Sequence, residues 1–303
     1  MEEFVIEMKG LTKVFPGDVV AVNALDMAIP RGTVYGFIGR NGAGKTTALR
    51  LLMGLLRPSA GRTEILGQEL ISAPREHRAR VAYVSQEQQI HAWMTLAELC
   101  AYVGHFYPTW DQSYAERLAG RFGVAMDRQT GLLSGGERRK AAILLALAAR
   151  PDVLVMDEPA AGLDPIARRE LIDALVETLN EGNGRTVLFS THIISDLERV
   201  ADHVGIMDKG RLVTSSPLAD LQTSTKRVQM IFPGDRVPEG FALPGAIRSE
   251  TSGPVYTAVV RQADESALAA AGAGHGARVQ VFSLGLEDIF IEVFGKDAKN
   301  ELM

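Results

Sequence analysis

The chain has 303 residues, 46% hydrophobic and 23% charged, a composition that excludes a disordered chain and allows one large domain with a smaller one. A formal net charge of −5 leaves no basic footprint for a phosphate backbone, so no nucleic-acid partner is expected. The single cysteine, Cys100, cannot make an internal disulfide, which suits a reducing compartment. The opening M-E-E-F-V-I-E-M-K-G is acidic where a signal peptide needs basic residues, and a cytosolic protein is expected. The longest apolar run, residues 141–149, falls far short of the ~20 residues of a spanning helix, so no membrane crossing is expected.

In chain order, E-F-V-I-E-M, V-V-A-V-N-A-L-D-M-A-I and T-V-Y-G-F-I within residues 1–38 read as strands, the last ending at a glycine turn. Residues 45–56 read as a helix stopped by R-P-S-A-G. Residues 80–85 read as a strand, and the stretch up to Arg150 as mostly helical. There Thr95 with Glu98 forms a capping box, Asp111 caps a helix over 112–122, and Ser134 caps the most apolar helix. Strands at 153–157, 186–190 and 204–208 then alternate with a helix from Pro165 and another near 195–201, which predicts a largely parallel sheet. Beyond about residue 222 the texture changes to three short strands, at 227–233, 256–262 and 278–282, and a helix over 265–271, with proline- and glycine-rich links. The expected domains are therefore residues 1–222, with a helical insert over about 87–150, and a small α+β appendage over 223–303.

Residues 39–47, G-R-N-G-A-G-K-T-T, match G-x-x-x-x-G-K-[ST] between a predicted strand and a predicted helix. Such a loop curls backbone amides around phosphates, with the positive end of the helix behind them. Gly39, Asn41, Gly42, Ala43, Gly44, Lys45, Thr46 and Thr47 are the candidate phosphate contacts, Lys45 reaching the β- and γ-phosphates and the Thr46 hydroxyl binding Mg²⁺. V-L-V-M-D-E-P puts Asp157 and Glu158 at the carboxyl end of a buried strand, where open α/β sheets bind ligands. Asp157 suits a metal-holding role beside the phosphates. Glu158 suits orienting or deprotonating the attacking water.

L-S-G-G-E at 133–137 closely resembles the L-S-G-G-Q signature of ABC-type ATPases, and the other motifs of that family follow in order over residues 3 to about 220. The resemblance implies that Phe15 stacks on adenine, that Gln86 touches Mg²⁺ and senses a membrane partner, that Ala161-Gly162-Leu163-Asp164 is the D-loop and that His192 is the switch histidine at the γ-phosphate. It implies a P-loop core with a mainly parallel sheet, N-terminal antiparallel strands and a helical insert. Its cofactors are ATP and Mg²⁺, and Lys45, Gln86, Glu158 and His192 form its catalytic set. It also implies a head-to-tail dimer with a second ABC ATPase subunit, a homodimer or a paralogue. In such a dimer Ser134, Gly135, Gly136 and Glu137 complete the other copy's ATP site, and Asp164 of the D-loop is a further ATP-binding residue.

Separate integral membrane permease subunits are implied as well, which places the chain peripherally on the cytoplasmic face of the inner membrane. The aromatic stretches H-A-W-M (91–94) and F-Y-P-T-W (106–110) are candidate docking surface for those subunits, or else packing of the helical insert. Departures from the pattern are Glu137, a carboxylate for the usual glutamine amide, Arg40 where proline is common and Ala160 where threonine is frequent.

The tail S-L-G-L-E-D-I-F-I-E-V-F-G (283–295) resembles the ending of drug, antibiotic or lipid exporter ATPases, and equally reads as an amphipathic closing helix or a dimer contact. An importer ATPase differs only in this tail. A soluble relative acting on ribosomes or DNA ends joins two cassettes or splits one around a coiled coil, and neither feature is visible.

Overall fold

The computed structural model describes residues 3–87, 90–180, 184–262 and 265–294. By its internal contacts the chain divides into two compact units, Met1–Ser215 and Ser216–Met303, a division seven residues ahead of the sequence-expected boundary at 222. The first unit opens with β1 (Phe4–Phe15), β2 (Val19–Pro30), β3 (Val34–Gly39), α1 (Lys45–Leu52) and β4 (Ala60–Ile65). The strands β2, β1 and β4 lie in that order as an antiparallel sheet, and Val5, Ile6, Met8, Leu11, Leu25 and Ile29 drive its packing by burying their side chains.

Next come α2 (Arg75–Arg78), β5 (Val81–Val84), α3 (Leu96–Gly104), α4 (Gln112–Phe122) and α5 (Gly135–Ala148), then β6 (Val153–Asp157), α6 (Pro165–Asn180), β7 (Thr186–Thr191), α7 (Ile194–Leu197), β8 (His203–Asp208) and β9 (Arg211–Pro217). A six-stranded sheet of order β5-β6-β7-β3-β8-β9 results, and the pairs β5/β6, β6/β7, β7/β3 and β3/β8 are parallel. Every residue of β3, β6 and β7 is buried, as expected of strands covered on both faces. Because β3 sits beside β7, and β7 beside β6, the carboxyl ends of β3 and β6 open on the same edge of the sheet, which is where open α/β sheets hold ligands.

The helical insert begins and ends on local signals. Thr95 and Glu98 make a reciprocal capping box at α3, the Asp111 carboxylate accepts from the Tyr114 amide at 2.8 Å at α4, and Ser134 with Glu137 makes a second box at α5. Among the described residues no helix is long and apolar enough to cross a membrane.

Some elements differ from the sequence expectation. The helix expected over 45–56 stops at Leu52, because Gly54 turns left-handed (φ +68°) and the Leu55 amide folds back to Arg50 O at 2.9 Å. The helix expected near 195–201 is the single turn α7. Strands β4 and β9 were not foreseen.

The second unit contains α8 (Leu218–Ser224), β10 (Thr225–Ile231), β11 (Ala246–Ser252), β12 (Val255–Arg261), α9 (Glu265–Ala273), β13 (Arg278–Ser283) and α10 (Leu286–Phe294). Its antiparallel sheet has the order β11-β12-β10-β13, with β11 a further unforeseen strand, over a core of Val228, Met230, Phe232, Tyr256, Val260 and Leu268. The tail motif forms α10, whose Leu286 and Ile289 are buried and whose Glu292 is held by Arg227 at 2.8 Å and Arg248 at 3.1 Å; Gly295 lies outside the described residues.

Candidate active site

The chain leaves β3 at Gly39 and enters α1 at Lys45 through a loop pressed against its neighbours. A Cβ on Gly39 would collide with the Met207 carbonyl oxygen of β8, and one on Gly44 (φ +105°) with the Ala21 carbonyl oxygen of β2. Two further bonds hold the loop: the Ala43 amide donates to Arg40 O at 3.0 Å, and the Gly210 amide to Ala43 O at 2.9 Å. Lys45, only 6% exposed, folds back over it, donating to Gly39 O at 2.7 Å with Glu158 Oε1 3.6 Å away. Burial pushes the Lys45 pKa down, against the opposing pull of Glu158 and Asp157.

Asp157, the last residue of β6, is fully buried. Its Oδ1 accepts from the Ser190 hydroxyl at 2.7 Å and from the Thr46 hydroxyl at 3.2 Å, while Oδ2 is buried with no hydrogen-bond partner. Burial raises its pKa, and the Ser190 and Thr46 bonds oppose the shift. Ser190 is the register partner of Asp157 in the β6/β7 pair, so sheet pairing alone brings them together. An orphaned carboxylate oxygen beside a threonine hydroxyl is a hard oxygen donor set, which fits Mg²⁺ completed by phosphate oxygens and water. Among the described residues there is no cluster of three or more His, Cys, Asp or Glu able to hold a metal unaided.

Glu158 takes a left-handed backbone (φ +51°), and its amide donates to the Ser190 carbonyl and hydroxyl oxygens, each at 3.1 Å. Its side chain is gripped from two sides. Oε2 accepts from the His192 amide at 3.2 Å and lies 2.6 Å from His192 Nδ1, while Oε1 faces Lys45. A carboxylate only accepts, so Nδ1 is the donor in that pair.

Residues 41–47 line one side of a cavity of about 310 Å³, and Gln86, Glu158, Ala161 and His192 line another, with Ala21 joining them. The structure thus brings together the phosphate loop, Gln86, Glu158 and His192, with Asp157 tied in through Thr46. It does not bring the remaining candidates to this cavity. Phe15 is half-buried opposite Val19 in the β1–β2 hairpin, with Lys13 Nζ 5.3 Å from its ring centroid. Asp164 caps α6 through the Ile166 and Ala167 amides at 2.9 and 3.0 Å, bonds that hold its carboxyl below the usual range. Ser134, Gly135, Gly136 and Glu137 sit at the start of α5, where a Cβ on Gly136 would lie 4.0 Å from the Gly162 carbonyl oxygen.

The charge cluster of L-S-G-G-E-R-R-K is half-buried, and each member has its own partner. Glu137 meets Ser134 and Arg128, Arg138 donates to Leu133 O at 2.7 Å, and Lys140 donates to Phe122 O at 2.9 Å. Arg139 spans two site residues, donating to Glu158 O at 2.6 Å and to Gln86 O at 2.9 Å. Sequence reasoning singled out neither Arg139 nor Ser190 as a site residue.

The ABC transporter family model matches residues 22–161. A Nod factor export ATP-binding protein I of Cupriavidus pinatubonensis is 31% identical over 98% of this chain and 92% of its own length. The chain belongs to the ABC transporter ATP-binding family. Another relative of this ABC protein, the daunorubicin/doxorubicin resistance ATP-binding protein DrrA of Streptomyces peucetius, is 35% identical over 72% of this chain and 67% of its own. A solved ATP-binding subunit of an ABC transporter superposes with a TM-score of 0.65 at 28% identity, covering 72% of this chain and 92% of that one. The ABC cassette described here therefore binds and hydrolyses ATP.

Proposed function

We propose that this chain is the ATP-hydrolysing subunit of an exporter, held on the cytoplasmic face of the inner membrane by separate permease subunits and working as a dimer. The observation that carries the hydrolytic reading is the Glu158 carboxylate, fixed between Lys45 and His192 beside the phosphate loop. In this reading the loop amides and Lys45 hold the phosphates, Glu158 orients and deprotonates the attacking water, and His192 keeps the carboxylate in place at the γ-phosphate. Thr46, Asp157 and Gln86 would hold Mg²⁺, which supplies charge neutralisation on the β- and γ-phosphates.

The dimer is supported by a separation within one chain. Ser134, Gly135, Gly136, Glu137 and Asp164 lie off the cavity that Lys45 lines, so a second copy or a paralogue must present them to this ATP. Closing over ATP and opening after hydrolysis then follows from the closed state's higher affinity for the nucleotide. Phe15, at the end of β1, is assigned the adenine.

Export is favoured by the tail that forms α10 and by the Nod factor export relative. The permease contact is assigned to an aromatic row, in which His91 lies 5.5 Å from Tyr102 and Tyr102 lies 5.3 Å from Phe106, with Trp93 69% exposed beside His91. Co-purification from detergent-solubilised membranes tests the whole reading: a hydrophobic integral membrane partner supports it, and recovery with ribosomal RNA or a soluble partner alone overturns it.

A further inference from the structure

Glu137 places a negative charge at the end of α5 that an incoming phosphate would approach. The first two amides of that helix, those of Gly135 and Gly136, have no hydrogen-bond partner among the described residues, which leaves them as the donors an anion takes. One residue further on, Glu137 folds back over the same turn. Its Oε2 accepts from the Ser134 amide at 2.7 Å, and the Ser134 hydroxyl accepts from the Glu137 amide at 3.2 Å. The Ser134 bonds, with Arg128 and Lys140 adding to them, hold this carboxyl below the usual range, so it is an anion at neutral pH. A fixed anion in the first turn offsets the field that draws a second anion there.

Arg128 answers that charge. It is not part of the signature turn, and its backbone is set by another element: the Leu96 amide of α3 donates to Arg128 O at 3.2 Å, and Thr95 pairs with the adjacent Gln129. From there Nη2 donates to Leu132 O at 2.9 Å, and Nη1 to Glu137 Oε1 at 3.1 Å. Half-exposed ion pairs of this kind add little to fold stability, so the consequence is to be sought in the local field rather than in folding.

We infer that Arg128 is a charge-compensating positioning residue of the ATP site, and that it makes a carboxylate at position 137 compatible with nucleotide phosphates bound at the start of α5. This rests on the reading of Ser134, Gly135 and Gly136 as the part of the site presented to a second copy's ATP. Arg128 acts through Glu137, so its effect belongs to the pair.

The test is a double-mutant cycle on the full chain, read as the KM for ATP in steady-state hydrolysis with the thermal midpoint recorded for each protein. Arg128→Gln, which keeps a side chain able to bond Leu132 O, is expected to raise KM by about tenfold in the otherwise native chain. In the Glu137→Gln background the same change should raise it less than about twofold, with little change in midpoint in either background. An equal rise in both backgrounds, or no rise in the native chain, overturns the inference. Ser134→Glu, which sets a second carboxylate among the free amides, separates this from the underlying reading. If it leaves ATP-driven dimerisation intact by light scattering, the reading of the turn as a phosphate site falls. If it abolishes dimerisation while Arg128→Gln acts equally in both backgrounds, only the role of Arg128 falls.

Discussion

His192 Nδ1 lies 2.6 Å from Glu158 Oε2, and the same oxygen accepts a second bond from the His192 amide at 3.2 Å. Ring and backbone therefore aim one carboxylate oxygen, while Lys45 faces the other. His192→Ala removes the ring bond and leaves the amide bond. It should lower kcat by about 10–100-fold, the range for losing a charge-assisted bond at a reacting group, with KM for ATP nearly unchanged. A kcat equal to that of the native chain would show that the ring does not position Glu158.

Asp157 should make the fold less stable as its charge develops. Its folded pKa is raised by burial, so the native state binds this proton more tightly than the unfolded chain does. Its contribution to stability is thus largest below the ordinary carboxylate range and declines as pH rises through that range to the raised value. Asp157→Asn removes the charge while keeping a group able to accept from Ser190 and Thr46. Without nucleotide its melting midpoint at pH 7 should rise by a few degrees, at about 2–4 °C per kcal/mol for a unit of this size, while the further stabilisation by Mg-ATP is lost. A lower midpoint would mean that the hydrogen bonds outweigh the buried charge.

Arg139 joins α5 to the backbone carbonyls of Glu158 and Gln86, and burial lowers its pKa against the pull of Glu158. Arg139→Met keeps the stem and removes both bonds. We expect kcat to fall by about tenfold or more with KM for ATP within about twofold, because the carbonyls belong to the hydrolytic residues and not to the phosphate loop. A rise in KM alone would assign Arg139 to binding.

The two tryptophans, which the sequence left open between docking and packing, differ in exposure. Trp93 is 69% exposed, whereas Trp110 packs on Gly104, where a Cβ would meet its ring at 3.1 Å, and donates its indole N–H to Gln112 Oε1 at 3.1 Å. Trp93→Glu should leave the melting midpoint and the ATPase activity of the free chain within error and abolish recovery of the membrane partner. Trp110→Ala should cost about 2–4 kcal/mol of stability by opening a cavity against α3. Loss of stability from the Trp93 change, measured by denaturant unfolding, would return that residue to the packing of the insert.

The site was legible where one short stretch carries its own geometry. A buried strand, a glycine loop and a helix at 34–52 position the phosphate loop, and the caps at Thr95, Asp111 and Ser134 form as their spacing predicts. What escaped depends on tertiary placement. β4 reads A-G-R-T-E-I and buries only Ile65, so it offers no alternation and is a strand through its pairing with β1. Ser190 becomes a partner of Asp157 through the register of β7 on β6. Arg139 looks like any solvated charge until α5 lies beside the end of β6.

In the proposed cycle Glu158 drives hydrolysis at a site where ATP itself holds two copies together. Single-turnover hydrolysis by Glu158→Gln, with the mass of the ATP-bound species followed by light scattering, tests it most directly. The expected rate is about 100-fold or more below that of the native chain, with ATP retained and a stable dimer that dissociates when the nucleotide is removed. A native rate from the Glu158→Gln protein, or a protein that stays monomeric with ATP bound, would contradict it.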